Sequence, residues 1–211
     1  MKCFSLLILL MLLSCGNKED VLLPKSNVVI VSNVEDHSPI YIFFRTKGKD
    51  TLAEVNRKNS IITTNWILNI DKRLPLRLVI PEVMKLQEKK RSEVAHKNEL
   101  AQNYYSYADS IHKNMAFLPF TKVYYEMGRP KSGGFAFVFY FKKASDLVLI
   151  NNIKIKKEDL PNYLSSFNFA VNPKILLVFE NNLSFEEYLQ TKIMIRELDT
   201  FNKDVPEEFV Y

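Results

Sequence analysis

Residues 135–150 read FAFVFYF-KKASD-LVLI, and this run gives the strongest indication of the kind of fold the chain adopts. The segment Phe135–Phe141 is apolar at nearly every position, which is typical of a strand buried on both faces. The polar residues 142–146 predict a turn, and Leu147–Ile150 predicts a strand that returns beside the first. We therefore expect a hairpin near the centre of a sheet.

The residues that follow extend this hairpin into a compact C-terminal unit. Residues 156–159 (KKED) predict a helix start with an end near Phe167, and Lys174–Phe179 predicts a second buried strand. Ser184 stands three residues before Glu187, which is the spacing of a capping box that opens a last helix. The unit, residues 131–211, is predicted to be strand, strand, helix, strand, helix.

Part of this unit resembles the periplasmic domain of ExbD and TolR biopolymer transport proteins. The resemblance rests on LVLINNIKI at 147–155, on Glu158-Asp159-Leu160, on the strand 174–179 and on the helix from Ser184 to Leu198. It implies a soluble α+β fold, self-association or an envelope partner, and a link to envelope transport or energy transduction. A generic α+β sandwich is the alternative interpretation.

Two departures from that family limit what the resemblance implies. The family is anchored by a transmembrane helix with an ionisable aspartate, and this sequence has neither in the corresponding place. Glu180 and Asn181 stand where the family usually has an aspartate after the central strand. A proton-coupled role is therefore not transferred to this chain.

The region N-terminal to this unit, residues 28–130, is predicted to contain strands and one long helix. Ile40–Arg45 and Thr51–Arg57 predict a hairpin joined by Lys47-Gly48-Lys49-Asp50. Apolar or small residues at helical spacing predict an amphipathic helix over 82–116, with a solvated basic face. That set is Val83, Leu86, Val94, Ala101, Tyr104, Ala108, Ile111 and Met115, and the basic face carries Lys89, Lys90, Arg91 and Lys97.

Together these segments predict an α+β fold with mixed or antiparallel sheets packed against helices. The two hairpins also resemble each other, because FFRTKGKDTL at 43–52 and FYFKKASDLV at 139–148 share an aromatic strand, a basic turn and an aspartate. An internal duplication and a chance similarity of two hairpins both remain open at this point.

The N-terminus has the layout of a secretory signal. Lys2 precedes an apolar run, and Leu12-Leu13-Ser14-Cys15 resembles the lipobox of bacterial lipoproteins, in which the signal is cleaved before an acylated cysteine. We expect residues 1–14 to be a signal peptide, Cys15 to be the lipidation site, and 15–27 to be a lipidated tether. An ordinary signal peptide with a coincidental cysteine is the alternative.

The residues after Cys15 also bear on sorting. Gly16 follows the cysteine, which resembles outer-membrane sorting, and Lys18-Glu19-Asp20 resembles the export signal of Bacteroidota surface lipoproteins. We expect a lipid-anchored protein of the cell envelope, on the periplasmic or surface side of the outer membrane. The formal net charge of +5 is spread among acidic residues. No basic stripe of a nucleic-acid module is present, so nucleic acid is not an expected partner.

Catalytic and metal-binding patterns are weak. The three histidines, His37, His96 and His112, lie outside any metal-ligand spacing. On a helix, Asp109 and His112 would share a face while Ser110 points elsewhere, so we expect no nucleophilic triad there. The carboxylate pairs 186–187 and 207–208 are predicted to lie on the solvated surface. We therefore expect no catalytic residues and no cofactor.

The favoured hypothesis is a membrane-anchored, non-catalytic binding or accessory module. Acylated Cys15 would anchor it in the lipid bilayer, and its folded part would bind a protein partner or a second copy of the chain. The alternative is a surface hydrolase or ligand-capturing lipoprotein whose site the sequence does not reveal.

Overall fold

The computed structural model describes residues 20–94, 98–131, 136–166, 174–198 and 207–211. Within these ranges the chain forms two mixed six-stranded sheets and three α-helices. The predicted α+β class is confirmed. In the same ranges no helix combines the length and the apolar composition that crossing a bilayer requires.

The first sheet comes from the N-terminal half of the chain. Its order is β3-β2-β4-β5-β6, with β1 alongside the far end of β5, and β2, β4 and β5 run parallel. Helix α1 carries the chain from β4 to β5, the crossover that parallel strands need. The bounds are β1 Lys25–Ser26, β2 His37–Lys47, β3 Asp50–Asn56, β4 Asn65–Ile70, α1 Leu76–Ser92, β5 Asn103–Asp109 and β6 Met115–Pro119.

The second sheet has the order β10-β9-β8-β11-β12-β7. Strands β8, β11, β12 and β7 are parallel, and β8, β9 and β10 form an antiparallel meander. The bounds are β7 Tyr125–Met127, β8 Ala136–Phe141, β9 Leu147–Ile150, β10 Ile153–Lys156, α2 Leu160–Ser165, β11 Lys174–Phe179, α3 Phe185–Arg196 and β12 Glu207–Val210, with a 3₁₀ turn at Lys157–Asp159. The predicted elements of this unit are present, together with the unpredicted strands β10 and β12.

The long helix predicted over 82–116 is wrong. Helix α1 begins at Leu76 and ends at Ser92, and the chain then forms the hairpin of β5 and β6. Tyr105 and Tyr107 are both fully buried, which is the alternation of a strand with one face on the core. Ile111, counted on the predicted apolar helix face, is 60% exposed in the hairpin turn.

One hydrophobic core serves both halves of the molecule. It gathers the apolar faces of α1 and α3 with one face of each sheet, including Trp66 and Tyr105 from the first sheet and Phe139 and Phe179 from the second. The two regions predicted as 28–130 and 131–211 therefore share a core. Strand β7, which precedes residue 130, pairs with β12 in the second sheet.

The two halves share an order of elements, with β10 and α2 inserted between β9 and β11 in the second half. An antiparallel hairpin, a strand parallel to its first strand, a helix and a further parallel strand occur as β2-β3-β4-α1-β5 and as β8-β9-β11-α3-β12. The strand registers make Ile42 the equivalent of Phe141, because Ile42 pairs with Ile70 and Phe141 with Phe179. The two hairpins therefore occupy equivalent places in their sheets. This structural equivalence is shifted by three residues from the sequence match of 43–52 with 139–148.

Equivalent residues at the starts of α1 and α3 bond to each other reciprocally. Leu76 N donates to Leu183 O at 2.9 Å, and Phe185 N donates to Leu74 O at 2.8 Å. Arg77 N to Asn181 O and Glu186 N to Lys72 O form a second reciprocal pair. Such exchange is expected of two similar units related by an approximate two-fold axis.

The segment before β2 is attached to the end of the first sheet at which β4 and β5 finish. Leu22 accepts from Lys72 N, Pro24 O accepts from Ala108 N, and Ser26 O accepts from Ser110 N, each at 2.8 Å. The part of the predicted tether that the structure describes, residues 20–27, is therefore largely packed on the fold. Residues 1–19, including Cys15, lie outside the described residues.

Candidate functional site

One cleft of the described residues lies where α1 ends and β5 begins. It has a volume of about 440 Å³ and is lined by both polar and apolar side chains, among them Lys90, Arg91, Asn103, Lys122 and Tyr124. Asn103 is the first residue of β5, and Lys90 and Arg91 belong to the last turn of α1. We call this site the α1 cleft.

Lys90 forms the inner wall of the α1 cleft. Its ammonium donates to Thr64 O at 2.9 Å, to Gln102 O at 3.2 Å and to Asn103 Oδ1 at 3.1 Å, and it lies 4.9 Å from the centre of the Trp66 ring. Burial lowers the pKa of Lys90 to about 8. The solvated position predicted for this residue is therefore wrong, and its main role is to join α1 to β5.

Arg91 and Tyr124 form the rim of the cleft. The Arg91 guanidinium lies 4.1 Å from the centre of the Tyr124 ring and donates through one nitrogen, Nη2, to Thr121 O and Val123 O. The ring itself is 63% exposed. An aromatic surface held rigidly by an arginine is suited to stacking against a partner group.

Asn103 supplies a polar group inside the cleft. The residue is only 4% exposed, and its side-chain oxygen accepts from Lys90. Its side-chain nitrogen has no hydrogen-bond acceptor among the described residues. Since every fully buried side-chain nitrogen or oxygen there has a partner, this nitrogen is not fully buried. The amide therefore keeps donor capacity for a ligand, as do the remaining N–H groups of Arg91.

A second cleft of about 420 Å³ lies at the opposite end of β5. It is bounded by β1 and Asn27 on one side and by Gln190 and Met194 of α3 on the other. Glu197, which follows α3, and Ser110 complete its lining. Within the described ranges no group of three His, Cys, Asp or Glu side chains is placed to hold a metal ion.

Asp109 and His112 lie close together in the turn between β5 and β6. The His112 ring nitrogen Nδ1 is 2.6 Å from Asp109 Oδ2, and the N–H groups of Ile111 and His112 donate to Asp109 Oδ1. Burial opposes ionisation of Asp109, but these donors outweigh it and lower the pKa of the carboxyl. The helical placement expected for Asp109, Ser110 and His112 is wrong, since Asp109 ends β5 and the other two lie in the turn that follows.

The bonds of Asp109 and His112 stabilise the turn, and the pair is not arranged to activate a nucleophile. His112 is exposed, and among the described residues no hydroxyl bonds to its ring. His37 bonds to Val34 O at the other end of the sheet, and His96 lies outside the described residues.

A chain of buried polar groups crosses the core between the halves. Tyr105 bonds to Tyr125 at 2.7 Å, Tyr125 to Tyr188 at 3.1 Å, and the Tyr188 hydroxyl donates to Glu208 Oε2 at 2.7 Å. Lys192 donates to the other oxygen of Glu208. Burial raises the pKa of each tyrosine well above its ordinary value.

The solvated position predicted for the 207–208 pair is wrong for Glu208, which is 1% exposed, and is correct only for the half-exposed side chain of Glu207. Phe209, Val210 and Tyr211 are the signal that could have identified a strand there. In the predicted pair 186–187, Glu187 completes the capping box of α3 and Glu186 bonds to Lys72.

Comparison with protein-family models, with curated proteins and with solved structures finds no match to this chain.

Proposed function

We propose that this chain is a lipid-anchored protein of the bacterial envelope, held by acylated Cys15, that acts as a non-catalytic binding module. Outer-membrane placement and a link to ExbD- or TolR-type systems are part of the proposal and rest on the sequence resemblances alone. The structural support comes from what lies at the two ends of the first sheet.

The observation that carries the proposal is that the described N-terminal segment, which follows the proposed anchor in sequence, and the α1 cleft lie at opposite ends of the first sheet. The chain enters the fold beside Lys72 and Ala108, where β4 and β5 finish, whereas the cleft lies at Asn103, where β5 starts. The seven-residue strand between them is about 20 Å long. An anchored molecule therefore presents the cleft away from its membrane.

Several contacts within the cleft support a binding role. Lys90 and Arg91 donate to backbone carbonyl oxygens, and these bonds fix the walls of the cleft. The Tyr124 ring and the Asn103 amide nitrogen are left to contact a partner. An exposed ring beside fixed donors suits a polar partner segment that also carries an apolar or planar group.

The anchor is tested by fractionating cells that produce the Cys15→Ala variant. We expect the variant in the soluble fraction with an uncleaved or unacylated N-terminus, and the intact chain in the membrane fraction with the mass of an acylated Cys15. Cys3→Ala is the matched control, because Cys3 lies in the segment predicted to be removed. Membrane retention of Cys15→Ala would contradict the anchor.

The binding role is tested by affinity capture of the acylated chain from envelopes. A partner that is recovered with the intact chain and with Tyr41→Ala, but lost with Tyr124→Ala, supports the α1 cleft. Tyr41 is also exposed, at 37%, but lies on the outer face of β2. Equal recovery with all three chains would contradict binding at the cleft.

A further inference from the structure

The end of the first sheet that receives the N-terminal segment carries exposed apolar and basic side chains together. Leu22 is 46% exposed beside Lys72, and Ile111 is 60% exposed at the tip of the β5–β6 turn. Exposed Lys25 pairs with Ala108 in the register of β1 and β5, and Lys113 lies in the same turn as Ile111.

The β2–β3 hairpin extends in the same direction. Ile42 pairs with Ile70, the last residue of β4, so the five residues of β2 after Ile42 project past the end of β4. At the usual rise per residue of a strand, these five residues extend about 15 Å beyond β4. Its tip adds the exposed Lys47 and Lys49.

The exposed cations at this end outnumber the free acidic groups. Of the carboxylates there, Asp71 is paired with Arg73 and Asp109 with His112, which leaves Asp20, Asp50 and Glu197 exposed against Lys25, Lys47, Lys49 and Lys113. The surface is therefore basic with two projecting apolar residues. We call it the anchor-end surface, consisting of Leu22, Lys25, Lys47, Lys49, Ile111 and Lys113.

We propose that the anchor-end surface lies on the lipid bilayer that holds the chain, with Lys side chains at anionic headgroups and Ile111 at the boundary of the acyl region. The inference rests on the proposed lipid anchor at Cys15. Seven residue steps separate Cys15 from Leu22, which limits their separation to about 25 Å even for an extended chain. The bilayer is therefore the surface within reach of this end.

The chemistry of the surface fits that occupant. A basic residue near an anionic leaflet gains about 1 kcal/mol, and a projecting apolar side chain gains from insertion at the interface. Several such contacts restrict the rotation of the protein about its anchor and keep the α1 cleft directed away from the lipid.

The test uses the acylated full chain reconstituted into vesicles of phosphatidylethanolamine and phosphatidylglycerol. Ile111→Cys and, as a matched control, Ile153→Cys are labelled with an environment-sensitive fluorophore. Ile153 is 53% exposed on the edge strand β10 of the other sheet. The thiol of Cys15 is blocked by its own lipid, so each chain carries one label.

We expect quenchers attached to lipid to reach the label at 111 but not at 153, and iodide in water to do the reverse. Replacing Lys47 by Gln is expected to reduce lipid quenching at 111 about fivefold, whereas Lys154→Gln on β10 leaves it unchanged. Loss of phosphatidylglycerol from the vesicles should reduce the quenching further than Lys47→Gln does, because all four lysines then lose their anionic headgroups.

The outcomes separate this inference from the anchor itself. A chain that is acylated and vesicle-bound, but whose label at 111 remains open to iodide, overturns the anchor-end surface and leaves the anchor standing. A chain that carries no lipid by mass spectrometry overturns both. Quenching at 111 and 153 alike would indicate an unoriented molecule and also overturns the surface.

Discussion

Glu208 is the buried, charged end of the hydrogen-bonded chain that connects the two halves. Its two oxygens accept hydrogen bonds from Tyr188 and Lys192 on α3, and through Tyr188 and Tyr125 it is connected to Tyr105 of the first sheet. A buried carboxylate is tolerated only when it is paired and hydrogen-bonded. The carboxylate, the lysine and the tyrosines therefore stabilise the fold as one unit.

Replacing Glu208 by Gln is expected to reduce the free energy of unfolding by about 3 kcal/mol, because Lys192 keeps its charge without a counterion. Urea denaturation followed by circular dichroism measures the change. Glu207→Gln is the control, since its ion pair with Lys174 is half exposed and is expected to contribute less than about 1 kcal/mol. Equal losses for both variants would contradict the role given to Glu208.

Asp71 is expected to make the free energy of unfolding depend on pH in the acid range. Its side chain is fully buried, which alone would raise its pKa, but bonds from Arg73 and from Leu22 N lower it below the ordinary value. A carboxyl with a lowered pKa adds stability above the pKa of the unfolded chain, about 3.9, and loses it as pH falls through the folded pKa.

We therefore expect Asp71→Asn to cost about 2 kcal/mol near neutral pH and progressively less below pH of about 4. Denaturant unfolding of both chains across this pH range gives the difference. Asp146→Asn, at an exposed carboxylate, is the control for a change of net charge. A cost for Asp71→Asn that stays constant down to acid pH would show that the bonds to Arg73 do not lower the pKa.

At the scale of elements, the two equivalent helices begin differently. Helix α3 has a capping box, in which Ser184 accepts from Glu187 N and the Glu187 side chain accepts from Ser184 N. Helix α1 begins after Pro75 with no side-chain cap. The reciprocal backbone bonds between Leu74 and Phe185 and between Leu183 and Leu76 hold both starts.

Ser184→Ala is expected to cost about 1 kcal/mol, because one amide at the start of α3 loses its partner. Thermal unfolding measures the cost, with Ser32→Ala in an exposed loop as the control. A loss no larger than that of Ser32→Ala would mean that the backbone bonds alone are sufficient to start α3.

At the scale of the whole molecule, the shared core predicts a single cooperative transition. Trp66 is the only tryptophan of the chain and lies in the first sheet, so its fluorescence reports on the N-terminal half. Phe179→Ala, in the second sheet, is expected to cost about 3 to 5 kcal/mol. The Trp66 transition should shift by the same amount as the circular dichroism transition of the whole chain.

Two separate transitions in the Phe179→Ala chain, with Trp66 fluorescence unshifted, would contradict the shared core. The outer-face residue Leu52, 43% exposed on β3, provides the control in Leu52→Ala. Its replacement is expected to change stability by less than about 1 kcal/mol, because the side chain is only partly removed from water.

The sequence by itself determined the features that depend on a few neighbouring residues. The α+β class, the turn at Gly48 with its positive φ of 63°, strand Ala136–Phe141 and the capping box at Ser184 and Glu187 are all local, and all are present. Each follows from side-chain spacing or from backbone preferences within one element.

Only the tertiary structure decided which residues are buried and what they contact. Tyr105 and Tyr107 form a strand because β4 and β6 pair with β5. Distant elements supply the hydrogen bonds of partly buried Lys90, and Tyr188 and Lys192 supply those of fully buried Glu208. The reciprocal bonds at Leu74 and Leu183 join positions more than a hundred residues apart. Burial and pairing are free energies of contact between distant segments, and no local pattern specifies them.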